Sequence, residues 1–396
     1  MKNSRIILLI FLFLTYLIYS ATILTVSYGT SQSMPSKNKN NNKTAVYGSG
    51  NDNNKVIRFK QMAKQFFVFS SQQKIFDASS QTFRQIDALI ANNSNGMNTA
   101  TILSFFREGD KQEQEFSKQS KSLPSITDYN TISSSNTDGK QRTFVRLYDP
   151  TNGSSSFSPL LIFLHGGGGI SGDAKGAYDL VGKYLANVSG FKVASINYRL
   201  APEHPFPDAL NDVVSTIRWI ANNCKGLRID CHRIALGGAS AGARLALSAA
   251  VVLRDSGQGD LVRTIYLLYG HYSPTTGSES YDLFGNGGFG ETTLDIKFFM
   301  SQTFQKTQDY RNPLAFPILA NLTGLPPVYI VAAALDPLKD DSINLANLLE
   351  KSGQEYYLNI WPGVGHGVLN ILSGVPEAKI YVDSMIFYLR GVLTKN

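Results

Sequence analysis

Between residues 141 and 361 the apolar positions follow two different periods. Apolar runs of strand length recur at 141–148, 159–164, 191–198, 233–236, 261–268, 327–334 and 356–361. Between them, over 174–187, 207–223, 240–254 and 342–351, apolar residues return every three to four positions, the spacing of one buried helix face. Residues 159–164 read Pro-Leu-Leu-Ile-Phe-Leu without a polar break, as a strand covered on both sides should. Strands alternating with helices of this length predict an α/β protein with a mostly parallel central sheet and helices on both faces. Such sheets carry their chemistry at the carboxyl ends of the strands. The stretch 271–315 is too long for a plain crossover and is expected to form a lid-like insertion.

Upstream the pattern changes. Phe59, Met62, Ala63, Phe66 and Phe67, then Phe83, Ile86, Leu89 and Ile90, recur at helical spacing. Residues 108–138 turn polar and read as a connection. Residues 30–54 are rich in Ser, Lys and Asn, too polar to offset their ordering entropy, and are expected to be a spacer. At the start, Lys2 and Arg5 precede an uncharged run from Ile6 to Val26. A positive end followed by an apolar stretch is the pattern of export. Ser27 and Gly29 are small residues suited to cleavage after Gly29, yet a helix of this length, about 31 Å, would also cross a bilayer. Residues 1–29 are therefore expected to be a signal peptide or a signal-anchor, with the body outside the cytoplasm and a membrane tether in the second case.

Charge narrows the field. The formal net charge of +7 over 396 residues suggests a polyanion partner until it is located. Lys2, Arg5, Lys37, Lys39, Lys43, Lys55, Arg58 and Lys60, against Asp52 alone, account for all of it. The remaining chain is neutral, so no nucleic-acid partner is expected. Cys224 and Cys231 are the only cysteines, too few for a disulfide-built miniprotein or a cysteine-rich metal site.

Four motifs carry chemistry. Gly238-Ala239-Ser240-Ala241-Gly242 lies between a predicted strand and a predicted helix, where a sharp turn projects the serine. His165-Gly166-Gly167-Gly168-Gly169 directly follows the run at 159–164. Composition gives about 0.3 chance matches to the first pattern but only about 0.003 to His-Gly-Gly-Gly, so the second carries more weight. Consecutive glycines let backbone N–H groups converge on one point, as an oxyanion requires. No Gly-Lys-Ser/Thr accompanies them, which argues against a phosphate loop. A base downstream of the serine must be His271 or His366. His366 is preferred, because it sits among Gly363, Gly365 and Gly367 after the strand at 356–361. The acid is assigned to Asp336, at the end of the strand at 327–334, where it can orient an imidazole. Asp336 could equally cap the following helix, and Asp340 and Asp341 compete from within that helix's start.

Taken together, His165–Gly168, Tyr198-Arg199-Leu200-Ala201-Pro202-Glu203-His204-Pro205, Gly238–Gly242, Asp336-Pro337-Leu338 and His366-Gly367 resemble the hormone-sensitive lipase family of the α/β-hydrolase fold. The resemblance runs from about Ile126 to Leu393 and weakly into the N-terminal helices, and the catalytic domain is expected over 126–396. It implies that 55–125 form a helical cap and linker. It also implies a serine esterase or lipase for short to medium acyl chains, with Ser240 as nucleophile, His366 as base and Asp336 as its orienter. By the same resemblance the N–H groups of Gly167, Gly168 and Ala241 form the oxyanion hole, while His165 and His204 brace loops. Gly169 and Val368 stand where relatives carry aromatics, and Ala239 where they carry Asp.

The expected partner is a small-molecule ester, and the pieces need no metal or organic cofactor. The same site could cleave amides of small acylated amines, and a hydrolase shell that only binds a small molecule is the other class. In an exported body Cys224 and Cys231, which flank a short helix–strand connection, could form a disulfide.

Overall fold

Eight strands join in one sheet: β1 (Ser125–Ile132), β2 (Arg142–Asp149), β3 (Ser158–Leu164), β4 (Lys192–Asn197), β5 (Ile229–Ala239), β6 (Thr264–Leu268), β7 (Val328–Ala333) and β8 (Tyr356–Trp361). Their order is β1-β2-β4-β3-β5-β6-β7-β8. The pairs β1/β2 and β2/β4 are antiparallel, and every pair from β4/β3 to β7/β8 is parallel. The computed structural model describes residues 125–132, 142–151, 156–287, 290–371 and 376–394. The expected signal or anchor, the spacer and nearly all of the 55–125 cap region lie outside the described residues. Among those residues no helix is long and apolar enough to cross a membrane.

The helices are α1 (Asp179–Ser189), α2 (Asp208–Leu227), α3 (Ala241–Asp255), α4 (Glu279–Phe284), α5 (Thr293–Thr303), α6 (Lys339–Lys351) and α7 (Pro376–Leu393). Strand β3 shows why two layers of them are needed. Its side chains alternate faces: Leu160, Ile162 and Leu164 enter one core with Val213 and Ile217 of α2, Leu247 of α3 and Leu345 of α6. Leu161 and Phe163 enter the other with Val181 and Leu185 of α1 and Met385 and Leu389 of α7. Each such side chain is worth about 1.5–3 kcal/mol when buried, and a slip of one residue would exchange the two sets.

Several boundaries differ from expectation. Helix α1 begins at Asp179 rather than 174, because the Asp173 carboxylate accepts the N–H of Lys175 and of Gly176 (2.6 Å) and folds that segment as a turn. Strand β5 runs well beyond 233–236 in both directions, opening where Ser158 pairs with Ile229. Part of the polar connection at 108–138 is strand β1, an edge strand whose exposed face needs no apolar residues; Tyr129 packs on Trp219 at 5.7 Å. Helix α7 was not expected, although Val382, Met385, Ile386 and Leu389 recur at helical spacing.

The 271–315 stretch contains α4 and α5. A reciprocal cap starts α5: Thr292 Oγ1 accepts the Asp295 N–H at 3.0 Å, and Asp295 accepts the Thr292 N–H at 3.0 Å. Ile296, Met300 and Phe304 then pack with Tyr281, Phe316 and Leu338 in a separate apolar cluster at the carboxyl end of the sheet. The pairing of Cys224 and Cys231, left open by the sequence, exists as a disulfide joining the last turn of α2 to β5.

Candidate active site

Ser240 occupies the sharp turn between β5 and α3 with φ 55° and ψ −121°, a conformation that costs a non-glycine residue energy and persists only where the surroundings enforce it. The enforcement is local. A Cβ at either Gly238 or Gly242 would run into the carbonyl oxygen of Leu164, so only glycine lets the elbow close against the end of β3. The Ser240 N–H donates to Leu268 O at 2.9 Å, which ties the turn to β6.

Asp336 lies three residues past β7 and is fully buried. One carboxylate oxygen accepts the Leu338 N–H at 2.7 Å, and the other accepts from His366 Nδ1 at 2.8 Å. It is not the cap of α6, which begins at Lys339. His366, beyond β8, is held edge-on against Tyr269 with ring centroids 5.2 Å apart. With Nδ1–H committed to Asp336, Nε2 offers its lone pair to Ser240 Oγ at 2.9 Å. The serine, histidine and carboxylate picked from the sequence thus form one hydrogen-bonded line. Such a line can take a proton from the hydroxyl while the buried carboxylate stabilises the imidazolium.

The competitors go elsewhere. Asp341 accepts the N–H groups of Tyr272 (2.8 Å) and Ser273 (3.0 Å), and Asp340 that of Ser280 (2.9 Å), so both anchor the 271–315 stretch. His271 is buried beside Phe316 and lines the recess at Ser240, with no hydrogen bond to the serine. His165 stacks on Tyr198 at 4.2 Å, and the Tyr198 hydroxyl donates to His165 O at 2.6 Å. His204 reaches Asp208 at 3.3 Å. Both therefore brace loops.

Gly167, Gly168 and Gly169 all have positive φ, at 101°, 64° and 83°. The carbonyl of Gly167 accepts the N–H groups of Ile170 and Ser171, that of Gly168 the Thr303 hydroxyl, and that of Gly169 the Ala201 N–H. These bonds fix the peptide planes of the glycine turn. Gly168 and Ala241 line the recess with Ser240, and Gly167 sits one residue back. Phe299, Met300, Ile296 and Leu338 complete its apolar wall.

Two residues of this recess were not found from the sequence. Glu291 places Oε1 3.5 Å from His366 Nε2. Arg244, four residues after Ser240, could have been found, since that spacing puts both on one helix face. Burial pushes the Glu291 carboxyl up to about 7, although the charge of His366 opposes it. Burial also acts to lower His366, but the carboxylates of Asp336 and Glu291 outweigh it and raise the imidazole to about 9. Among the described residues no cluster of three or more His, Cys, Asp or Glu is arranged to hold a metal ion.

A serine elbow at the end of the fifth strand, faced by a glycine turn after the third, places the molecule in the α/β-hydrolase class. The chain belongs to the alpha/beta hydrolase fold family, in its hormone-sensitive lipase-like branch, and the family profile matches residues 161–370. It is 33% identical over 256 residues to the carboxylic ester hydrolase LipN of Mycobacterium tuberculosis, covering 63% of this chain and 67% of that one. It is 32% identical to the esterase LipI of the same organism over 63% of this chain and 78% of that one. A hyperthermophilic esterase from Pyrobaculum calidifontis superposes with a TM-score of 0.69 at 29% identity, over 79% of this chain and 98% of that structure.

Proposed function

We propose that this chain is a serine carboxylesterase that cleaves short- to medium-chain carboxylic esters through an acyl-enzyme. The observation that carries the reading is the continuous line from Ser240 Oγ through His366 to the buried carboxylate of Asp336. The names of its relatives support an ester as the substrate. Ser240 Oγ attacks the ester carbonyl as His366 Nε2 takes its proton. The N–H groups of Gly167, Gly168 and Ala241 hold the oxyanion, an interaction worth about 3 kcal/mol per donor. His366 then protonates the leaving alcohol, and a water, deprotonated by the same imidazole, releases the acid. The Phe299 and Met300 side chains close the recess around the serine, which favours short acyl groups.

The test is hydrolysis of p-nitrophenyl esters from two to sixteen acyl carbons by the full chain, beside Ser240→Ala. Turnover should peak at the short end and vanish in the variant. Full activity of Ser240→Ala would overturn the nucleophile, and rates rising towards sixteen carbons would overturn the chain length.

We also infer that the folded body is exported, since disulfides such as Cys224–Cys231 persist in oxidising compartments. Cell fractionation tests this: accumulation in the cytosol with both thiols free would refute it.

A further inference from the structure

Arg244 stands one helical turn beyond Ser240 on α3 and is only 7% exposed. Its side chain lies between two adjoining recesses, one containing Ser240 and Gly168, the other lined by Phe206, Leu245 and Phe304. The guanidinium carbon lies 4.6 Å from the Phe304 ring centre, within cation–π range. A Cβ at Gly169 would start 3.9 Å from Nη2, so the guanidinium ends beside the glycine turn.

No carboxylate or carbonyl among the described residues accepts from this guanidinium. Arg199, which lines the second recess, is different: Asp208 and Asp212 hold it at 2.9 and 2.8 Å. The carboxylate lining the serine recess, Glu291, is turned to His366 and makes no ion pair with Arg244. A second polar group faces the same space. His271 is 7% exposed, its Nε2 has no hydrogen-bond partner, and burial first, then the Arg244 charge, lower its pKa to about 3. Stacking on one ring leaves five N–H donors to satisfy, and buried donors without acceptors are costly.

Building on the esterase reading, we propose that Arg244 receives a carboxylate carried by the substrate, so that the preferred esters bear a free carboxylate on their acid or alcohol part. A carboxylate matches the planar guanidinium fork. Its single charge balances that of Arg244, whereas a phosphate dianion would bring an excess beside Glu291.

Two matched pairs test this in the full chain: mono-p-nitrophenyl adipate against p-nitrophenyl hexanoate, and 4-acetoxybenzoate against its methyl ester. The acid member of at least one pair should be preferred tenfold or more in kcat/KM. Arg244→Met should erase that preference by raising KM for the acid. Preference for the neutral member in both pairs, or equal losses on both members in the variant, overturns the proposal. Should Arg244→Met fail to fold, adipamic acid against hexanamide as competitive inhibitors of the wild-type enzyme decides. Tenfold stronger inhibition by the acid supports the site, and equal inhibition overturns it. Turnover of neutral esters without any acid preference defeats this inference and leaves the esterase reading standing. Failure to turn over all four esters, with Ser240 unlabelled by a fluorophosphonate, defeats both.

Discussion

Glu291→Gln should shift the pH dependence of catalysis to the acid side. Glu291 Oε1 lies 3.5 Å from His366 Nε2, the nitrogen that receives the Ser240 hydroxyl at 2.9 Å. An anionic Glu291 stabilises the imidazolium, and an imidazolium cannot act as the base. At this separation the attraction is about 1 kcal/mol in fully hydrated surroundings and about 5 kcal/mol at the effective dielectric of a protein surface. One pKa unit is about 1.4 kcal/mol, so the bracket is about one to three and a half units. Glu291 itself titrates near 7 and carries most of its charge by pH 8. The two groups exchange influence, so the limb in a rate profile belongs to the pair. In the wild type kcat/KM should climb through a limb near 9, the value to which Asp336 and Glu291 raise His366 against burial. Glutamine keeps the shape and removes the charge, while Asp336 still faces Nδ1 and His271 remains neutral. The base should then be free at lower pH, with the limb displaced downwards by about one unit and kcat/KM raised about threefold at pH 8, where Glu291 is largely ionised, and less at pH 7, where it is half protonated. The assay is the kcat/KM profile on p-nitrophenyl acetate from pH 5.5 to 10, with an unchanged melting temperature as control. A limb that stays in place, or moves to higher pH, would refute the reasoning.

Asp336→Asn should lower kcat by about 10⁴, because the amide no longer holds His366 in the tautomer that accepts from serine; esterase kinetics with an intact circular dichroism spectrum check this. Gly168→Ala should lower kcat by about 10² to 10³, since its Cβ would strike Phe299 and its φ of 64° disfavours alanine, displacing an oxyanion donor. A loss confined to KM would argue against the donor role. Removing the disulfide by Cys224→Ser with Cys231→Ser should destabilise the chain by about 2–3 kcal/mol, the loop-closure value for so short a loop, read as a lower urea midpoint with unchanged m-value. Alkylation of the denatured, unreduced protein should label neither cysteine.

The parts legible in the sequence are those whose cause is local. Gly238 and Gly242 are required by the approach of Leu164 O, His366 stands in a loop directly after a strand, and Asp336 follows another. Each is a strand end with a short motif, so reading strands from apolar runs already orders the chemistry along one edge of the sheet. Strand β1 escaped because an antiparallel edge strand is held by backbone bonds to β2 and shows little apolar alternation. Glu291 escaped for a different reason. Its neighbour in space is 75 positions away in sequence, brought there by the insertion whose α5 is capped by Thr292 and packed by Ile296 and Met300. The same holds for Arg244: its place beside Ser240 is a helix-period fact, but its lack of an acidic partner among the described residues emerges only from the placement of the elements around it. The line from Ser240 through His366 to Asp336 is thus written in short motifs, while the charge of the recess is set by contacts between distant segments. Two chains sharing all four motifs can therefore differ in pH profile and substrate charge through residues such as Glu291 and Arg244, which no motif includes.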